Sequence, residues 1–209
     1  SANLKVGRDV VQPVEPKYPA LLFKQQLTAY VEKISGILRE NIKNEVLLTL
    51  EICMKVPIAL NGDGSESSLP LNNSLDSSWH TLVDKLERIL TIFQENFVPL
   101  VLTYKIFTQV FAFLNVQLFN SLLLEKKYCT FSFGEYVKAG LDELEMWCKA
   151  KDEFVASWDE LKHTRQAVGF LVINQKTILT YDDLSADLCP AMSVRQLHRL
   201  CTLHRDNGA

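Results

Sequence analysis

Several common classes of protein are excluded by what this sequence does not contain. It has no excess of positive charge: 22 Lys plus Arg stand against 25 Asp plus Glu, a net charge of -3. Without a positive field, neither nucleic acid nor a bare anionic membrane is an expected partner. There is no CxxC pair. The five cysteines, Cys53, Cys129, Cys148, Cys189 and Cys201, are odd in number and widely spaced, which argues against a disulfide framework or a four-cysteine zinc site and for reduced cytosolic thiols. The opening SANLKVGRDVVQPVEP lacks the basic flank and apolar run of an export signal. GxGxxG, P-loop, HExxH and GxSxG motifs are all missing, and with them the usual phosphate cradles, zinc helices and nucleophile elbows. Strand-like alternation of useful length is missing too, as is any repeat of fixed period.

What remains reads as helix. Hydrophobic residues make up 47% and charged residues 22%, enough for a packed core without metal or disulfide. Residues 1–16 carry Pro13, Pro16 and alternating apolar spacing, which predicts an extended segment. From Pro19, the residues Leu22, Leu27, Tyr30, Val31, Ile34, Ile37 and Leu38 recur three and four apart, predicting an amphipathic helix that ends near Asn41. A second cluster, Ile42, Val46, Leu47, Leu50 and Cys53, stops before Pro57 and is expected to pack on the first. The glycines, serines and asparagines of 58–78 predict a flexible loop. Trp79 to Phe97 then follows as a helix, with Ser77 or Ser78 as its cap and Pro99 as its end.

The stretch Val98 to Leu124 carries one formal charge, Lys105, and is long enough to cross a bilayer. Its Gln109, Asn115, Gln117 and Asn120, and the lack of a basic flank, favour a central helix buried by its neighbours. Three capping boxes, Ser132–Glu135, Ser157–Glu160 and Ser193–Gln196, predict later helix starts, and a shorter helix is expected over 181–188 before Pro190. The predicted fold is all-α, an elongated stack of amphipathic helices around a central apolar helix, within one helical domain over 17–205.

Candidate chemistry is sparse. His198, Cys201 and His204 follow one another at a spacing of three, which could suit a metal. Cys201 also extends the Leu197 and Leu200 stripe, which favours a buried thiol flanked by surface histidines. Cys148 with His163 as base lacks an orienting third group, and core packing explains it better. The acidic runs Asp142-Glu143-Glu145 and Asp152-Glu153 fall on polar helix faces. Lys126-Lys127, Lys149-Lys151 and Lys162-His163-Arg165 form small basic islands of ordinary surface type. No catalytic residue, cofactor or metal is expected.

Longer segments say more. KYPALLFKQQLTAYVEKI (17–34), KIFTQVFAFLNVQLFNSLLL (105–124), GEYVKAGLDELEMWC (134–148), WDELKHTRQAVGFLV (158–172) and LCPAMSVRQLHRLCTLH (188–204) together resemble the globular tail, or dilute domain, of actin-based transport myosins. The likeness is greatest to plant class XI and more distant to class V. It covers nearly the whole chain, in order.

The resemblance implies a cargo-binding tail that recognises vesicle or organelle receptors and Rab-type GTPases, and an alternative role folding back on the motor head to silence it. It implies a cytoplasmic module that meets membranes only through receptors, in a parent that dimerises by a coiled coil and keeps its ATPase head elsewhere. Carried over by position, Glu135, Lys138, Ala139, Gly169 and Val172 are the expected partner-binding residues. The loop over 58–78 and the tract NQKTILTYDD depart from the commoner plant pattern.

Overall fold

The computed structural model describes residues 19–59, 71–173 and 180–204. The segment expected to be extended, 1–16, lies outside the described residues, as do 60–70 of the expected loop and much of the NQKTILTYDD tract. Among the described residues there are seven α-helices, short 3-10 and π-helical turns, and no strand, so the chain is all-α.

Two compact units make up the chain, residues 1–37 and 38–209. The described part of the first is the opening of helix α1 (Ala20–Ala59), where the Pro19 carbonyl accepts from the Phe23 N–H at 3.2 Å. Its Leu22, Phe23, Leu27, Tyr30, Val31, Ile34 and Ile37 are all exposed. They keep the predicted helical spacing.

The second unit holds the core. In its share of α1, Ile42, Val46, Leu50, Cys53 and Met54 are buried. The break expected near Asn41 does not occur, because no glycine or proline stops a helix whose apolar register carries straight on. The two predicted pieces are therefore one helix and cannot pack on each other. α1 also runs past Pro57. A proline has no N–H for the carbonyl four residues back, and here that carbonyl, on Cys53, instead accepts the Tyr136 hydroxyl at 3.1 Å from helix α4 (Phe131–Lys149).

Helix α2 (Leu71–Glu95) begins ahead of Ser77 and Ser78, so neither caps it, and the expected loop is helical at both its ends. Trp79, Leu82, Leu86, Leu90 and Phe93 are its buried face. Its end is a Schellman turn: Val98 N–H reaches Phe93 O at 2.9 Å and Phe97 N–H reaches Gln94 O at 3.1 Å. Phe97 takes the left-handed place that glycine usually fills, with φ 53°.

Helix α3 (Leu100–Leu124) is the axis, as predicted. Residues from Thr103 to Leu122 are buried along it against α5 (Val155–Trp158), α6 (Lys162–Leu171) and α7 (Val194–Leu203). By length and composition alone α3 could cross a membrane; its Phe107 and Phe111 are instead almost wholly covered by protein. Phe107 lies 5.8 Å from Trp147 and 4.9 Å from Phe154, ring centre to ring centre, and Phe111 lies 6.2 Å from Trp147. Such pairs contribute about 0.5–1.5 kcal/mol each beyond the area they bury, and they lock α3 to α4 and to the 3-10 turn at Asp152–Phe154.

Of the predicted capping boxes, only Ser193 with Gln196 forms, at the start of α7. Thr130, not Ser132, caps α4, accepting from Phe133 N–H at 3.2 Å. Ser157 is buried inside α5, its hydroxyl 3.1 Å from that of Thr108 on α3. The short helix expected at 181–188 is present, with a π-helical course over Asp183–Leu188.

Candidate docking face on helices α4 and α6

Two hydrogen-bonded anchors set α6 in place. At its start, the Thr164 N–H and hydroxyl both converge on Asn115 Oδ1 of α3, at 3.0 and 2.8 Å. In its middle, Gln166 Oε1 accepts the Ala191 N–H at 2.9 Å, tying α6 to the turn before α7. Ala167, Val168, Phe170 and Leu171 then face inward.

Helix α4 turns Phe133, Gly134, Val137, Gly140, Leu141, Leu144, Trp147 and Cys148 to the core. Its two buried glycines are points of close approach. A Cβ on Gly134 would stand 2.8 Å from Leu171 Cβ and 3.1 Å from Val172 Cγ1; one on Gly140 would stand 2.0 Å from the Trp79 ring. Glycine is thus what lets α4 rest on the end of α6 and on α2.

The positions carried over from the resemblance lie on these two packed helices, and of them Val172 is at the contact itself. Glu135, Lys138 and Ala139 are exposed, and their spacing puts them on one outward stripe of α4. Val172 is half-buried beside Gly134, so the close approach brings it next to the foot of that stripe. Gly169, one turn earlier on α6, is exposed, and a Cβ there would meet nothing within 4 Å. It opens onto a shallow groove of about 280 Å³ lined also by Lys162, Arg165, Gln166, Phe170 and Leu188. The groove residues other than Gly169 were missed from sequence. The signal for Gln166 and Arg165 was available, since both lie within one turn of Gly169 on the same helix.

Several charges on these helices and their neighbours are paired. Arg165 lies over the Trp158 ring at 4.8 Å and 3.6 Å from Asp159. Lys149 pairs with Glu145 at 2.9 Å, Lys127 with Glu125, and Lys151 with Glu87 at 2.8 Å. Glu87 also accepts the Trp147 indole N–H at 2.7 Å. Hydrogen bonding from Lys151 first, then from Trp147, holds its carboxyl below the usual range. Of the predicted basic islands, these four cations are engaged in ion pairs. The acidic runs are not simply solvated either: Glu143 is half-buried and lies 3.8 Å from His80.

The thiol and histidine candidates from the sequence are not brought together among the described residues. Burial pushes the Cys148 thiol up to about 12, far from thiolate character at neutral pH, and His163 packs against Phe119. Cys201 is exposed, which corrects the expected buried thiol. α7 turns Leu197, Leu200 and Leu203 inward, and one step past Leu200 the helix faces solvent. The His204 ring instead lies 5.8 Å from Phe170. Among the described residues, no group of three or more His, Cys, Asp or Glu side chains could hold a metal ion.

Comparison with known proteins fits this geometry. The family model of the DIL domain matches residues 105–207, from α3 through α7, and so includes the whole α4–α6 face. The chain is 54% identical over 200 residues to Myosin-8 of Arabidopsis thaliana, covering 95% of this chain and 13% of that protein. It is 53% identical over 201 residues to Myosin-6 of the same plant, at 95% and 13% coverage. Protein OPAQUE1 of Zea mays is 46% identical over 209 residues, at 97% and 14%. The chain belongs to the DIL-domain family, in the form carried by myosin tails. It spans about one seventh of the length of these relatives.

Proposed function

We propose that this domain is a cargo-recognition module of an actin-based transport myosin, and that the α4–α6 face grips a receptor on a vesicle or organelle. The observation that carries the reading is Gly169: an exposed glycine with open space at its missing side chain, over a groove lined from α6 and by Leu188, on a helix that packs against the one carrying the outward stripe of Glu135, Lys138 and Ala139. Helical faces with an apolar groove accept a partner's amphipathic helix. The membership in the myosin DIL family supports the same role.

On this reading Val172 is a half-buried edge of the contact, and Rab-type GTPases and coiled-coil receptors are the partner classes. The domain works in the cytoplasm and meets membranes through those receptors. Catalysis resides elsewhere in the parent motor.

The test is capture of purified coiled-coil receptors and GTP-loaded Rab proteins by this chain, read by calorimetry. Lys138→Glu and Gly169→Arg are expected to weaken capture by about tenfold or more, a loss of about 1.4 kcal/mol, with helicity unchanged. If both variants bind as the wild type does, the face is wrong. If no receptor or GTPase binds while the chain lowers the ATPase of the isolated motor head, the silencing role replaces cargo recognition.

A further inference from the structure

On another part of the second unit, α1 and α3 leave a groove between them. Its wider compartment, about 390 Å³, has Ala112, Phe113 and Val116 of α3 as an apolar floor, Arg39 and Lys43 of α1 on its rim, and Gln109 at one side. A second compartment of about 210 Å³ lies further along, between Leu47 and Met54 of α1 and Gln117 and Ser121 of α3. The lining positions climb together, 39, 43, 47 and 54 on one helix and 109, 113, 117 and 121 on the other. Both compartments therefore lie on one seam roughly 18–23 Å long, at 1.5 Å per residue.

The two ends of this seam differ in charge. At the wide end, among the described residues, Arg39 and Lys43 share one carboxylate. Glu40 is the carboxylate beside them, 3.1 Å from Arg39 Nε and 3.3 Å from Lys43 Nζ. Arg39 also donates from Nη1 to Gln109 Oε1 at 3.0 Å, which leaves other guanidinium donors for a ligand. Lys105, exposed one turn before Gln109 on the same stripe of α3, adds a further cation. At the narrow end, Lys55 lies 3.6 Å from Glu51 and Lys127 pairs with Glu125, so no sign prevails.

Lys43 also lies over the Phe113 ring, its nitrogen 5.5 Å from the centre. Drawn to an incoming carboxylate, it would uncover that ring for an apolar side chain.

We propose that the α1–α3 groove is a second docking site, for an amphipathic helical segment of a partner protein that lays its apolar stripe on Phe113 and Val116 and sets carboxylates against Arg39 and Lys43. A helix suits the site because the groove is bounded by two helices and offers no free backbone edge for a strand. An anionic bilayer suits it less, because the apolar floor is recessed between the helices. The site does not depend on the α4–α6 reading.

The test uses fluorescence anisotropy of the full chain with a labelled helical peptide of roughly 18 residues, with leucines at three and four spacing and glutamates along the flanks. Controls are the same peptide with lysine for glutamate, and a scrambled acidic one. The acidic amphipathic peptide is expected to bind at least about tenfold more tightly than either control. The double variant Arg39→Glu, Lys43→Glu should reverse the preference toward the lysine peptide. Val116→Asp, at a half-exposed position, should weaken binding about tenfold, while Lys138→Glu leaves it unchanged. Circular dichroism checks that each variant is folded.

Equal binding of all peptides, or no reversal in the double variant, overturns the proposal. So does co-sedimentation with phosphatidylcholine–phosphatidylserine vesicles in the absence of peptide binding. Loss of peptide binding in Lys138→Glu would assign the peptide to the α4–α6 face and equally overturn it.

Discussion

Between α4 and α6 the backbones come so near that a Cβ on Gly134 would stand 2.8 Å from that of Leu171; between α1 and α3 side chains hold the helices apart around a groove of about 390 Å³. One seam has a glycine at the crossing and closes. The other is lined by Arg39, Lys43 and Gln109, long polar side chains that cannot be buried without losing their water. Close seams define the body of the molecule, and open seams are where we propose that another protein enters.

Substitution at the close seams should therefore be the most costly. Gly140→Ala would set a methyl 2.0 Å from the Trp79 ring, itself almost fully buried. The ring has nowhere to retreat, and a loss of about 3 kcal/mol is expected, read as a lower denaturation midpoint. Gly134→Ala meets the Leu171 and Val172 side chains at 2.8 and 3.1 Å and should cost about 1–2 kcal/mol. Should it stabilise instead, as glycine to alanine does in an open helix by roughly 1 kcal/mol, the distinction between the two seams fails.

A smaller effect belongs to Glu87, which links α2 to Trp147 and Lys151 of the α4 end. Its folded carboxyl titrates below its ordinary range. Its contribution is therefore full above the unfolded carboxylate value and is lost as pH falls through the folded one. The carboxylate is half-exposed and screened, so Glu87→Gln should cost no more than about 1 kcal/mol. The variant should also flatten the acid limb of a stability-against-pH curve.

The smallest change has the opposite sign. Phe97 is 90% exposed and sits at φ 53°, so Phe97→Gly should raise stability by up to about 1 kcal/mol, visible as a small rise in Tm.

Most of the helix inventory was legible because burial imposes a period. The all-round apolar run at 101–124 read as an axis, and the Ser193 box with Gln196 read as a helix start, since both signals are local. What failed was non-local. The helix stop placed before Pro57 ignored the Tyr136 hydroxyl that arrives from α4 to fill the orphaned Cys53 carbonyl. The cap assigned to Ser157 ignored Thr108, which holds that hydroxyl inside the core.

The same limit applies to the candidate face. Glu135, Lys138 and Ala139 could be placed on one stripe from spacing alone. That Gly169 opens onto a groove while Gly134 is pressed shut cannot be read from two glycines in a string. Nor could the Arg39 and Lys43 rim be foreseen, since the helix was expected to end between them.

The burial pattern of the thiols has a practical consequence. Desolvation lifts Cys53 to about 12 and Cys129 and Cys189 to about 11, as it lifts Cys148; it raises Cys201 too, but of the five that side chain alone is exposed, on the outer side of α7. A maleimide dye should therefore attach at one place on the folded molecule without any cysteine being engineered in or out. That makes the sequence as it stands ready for single-molecule distance measurements against any labelled candidate partner.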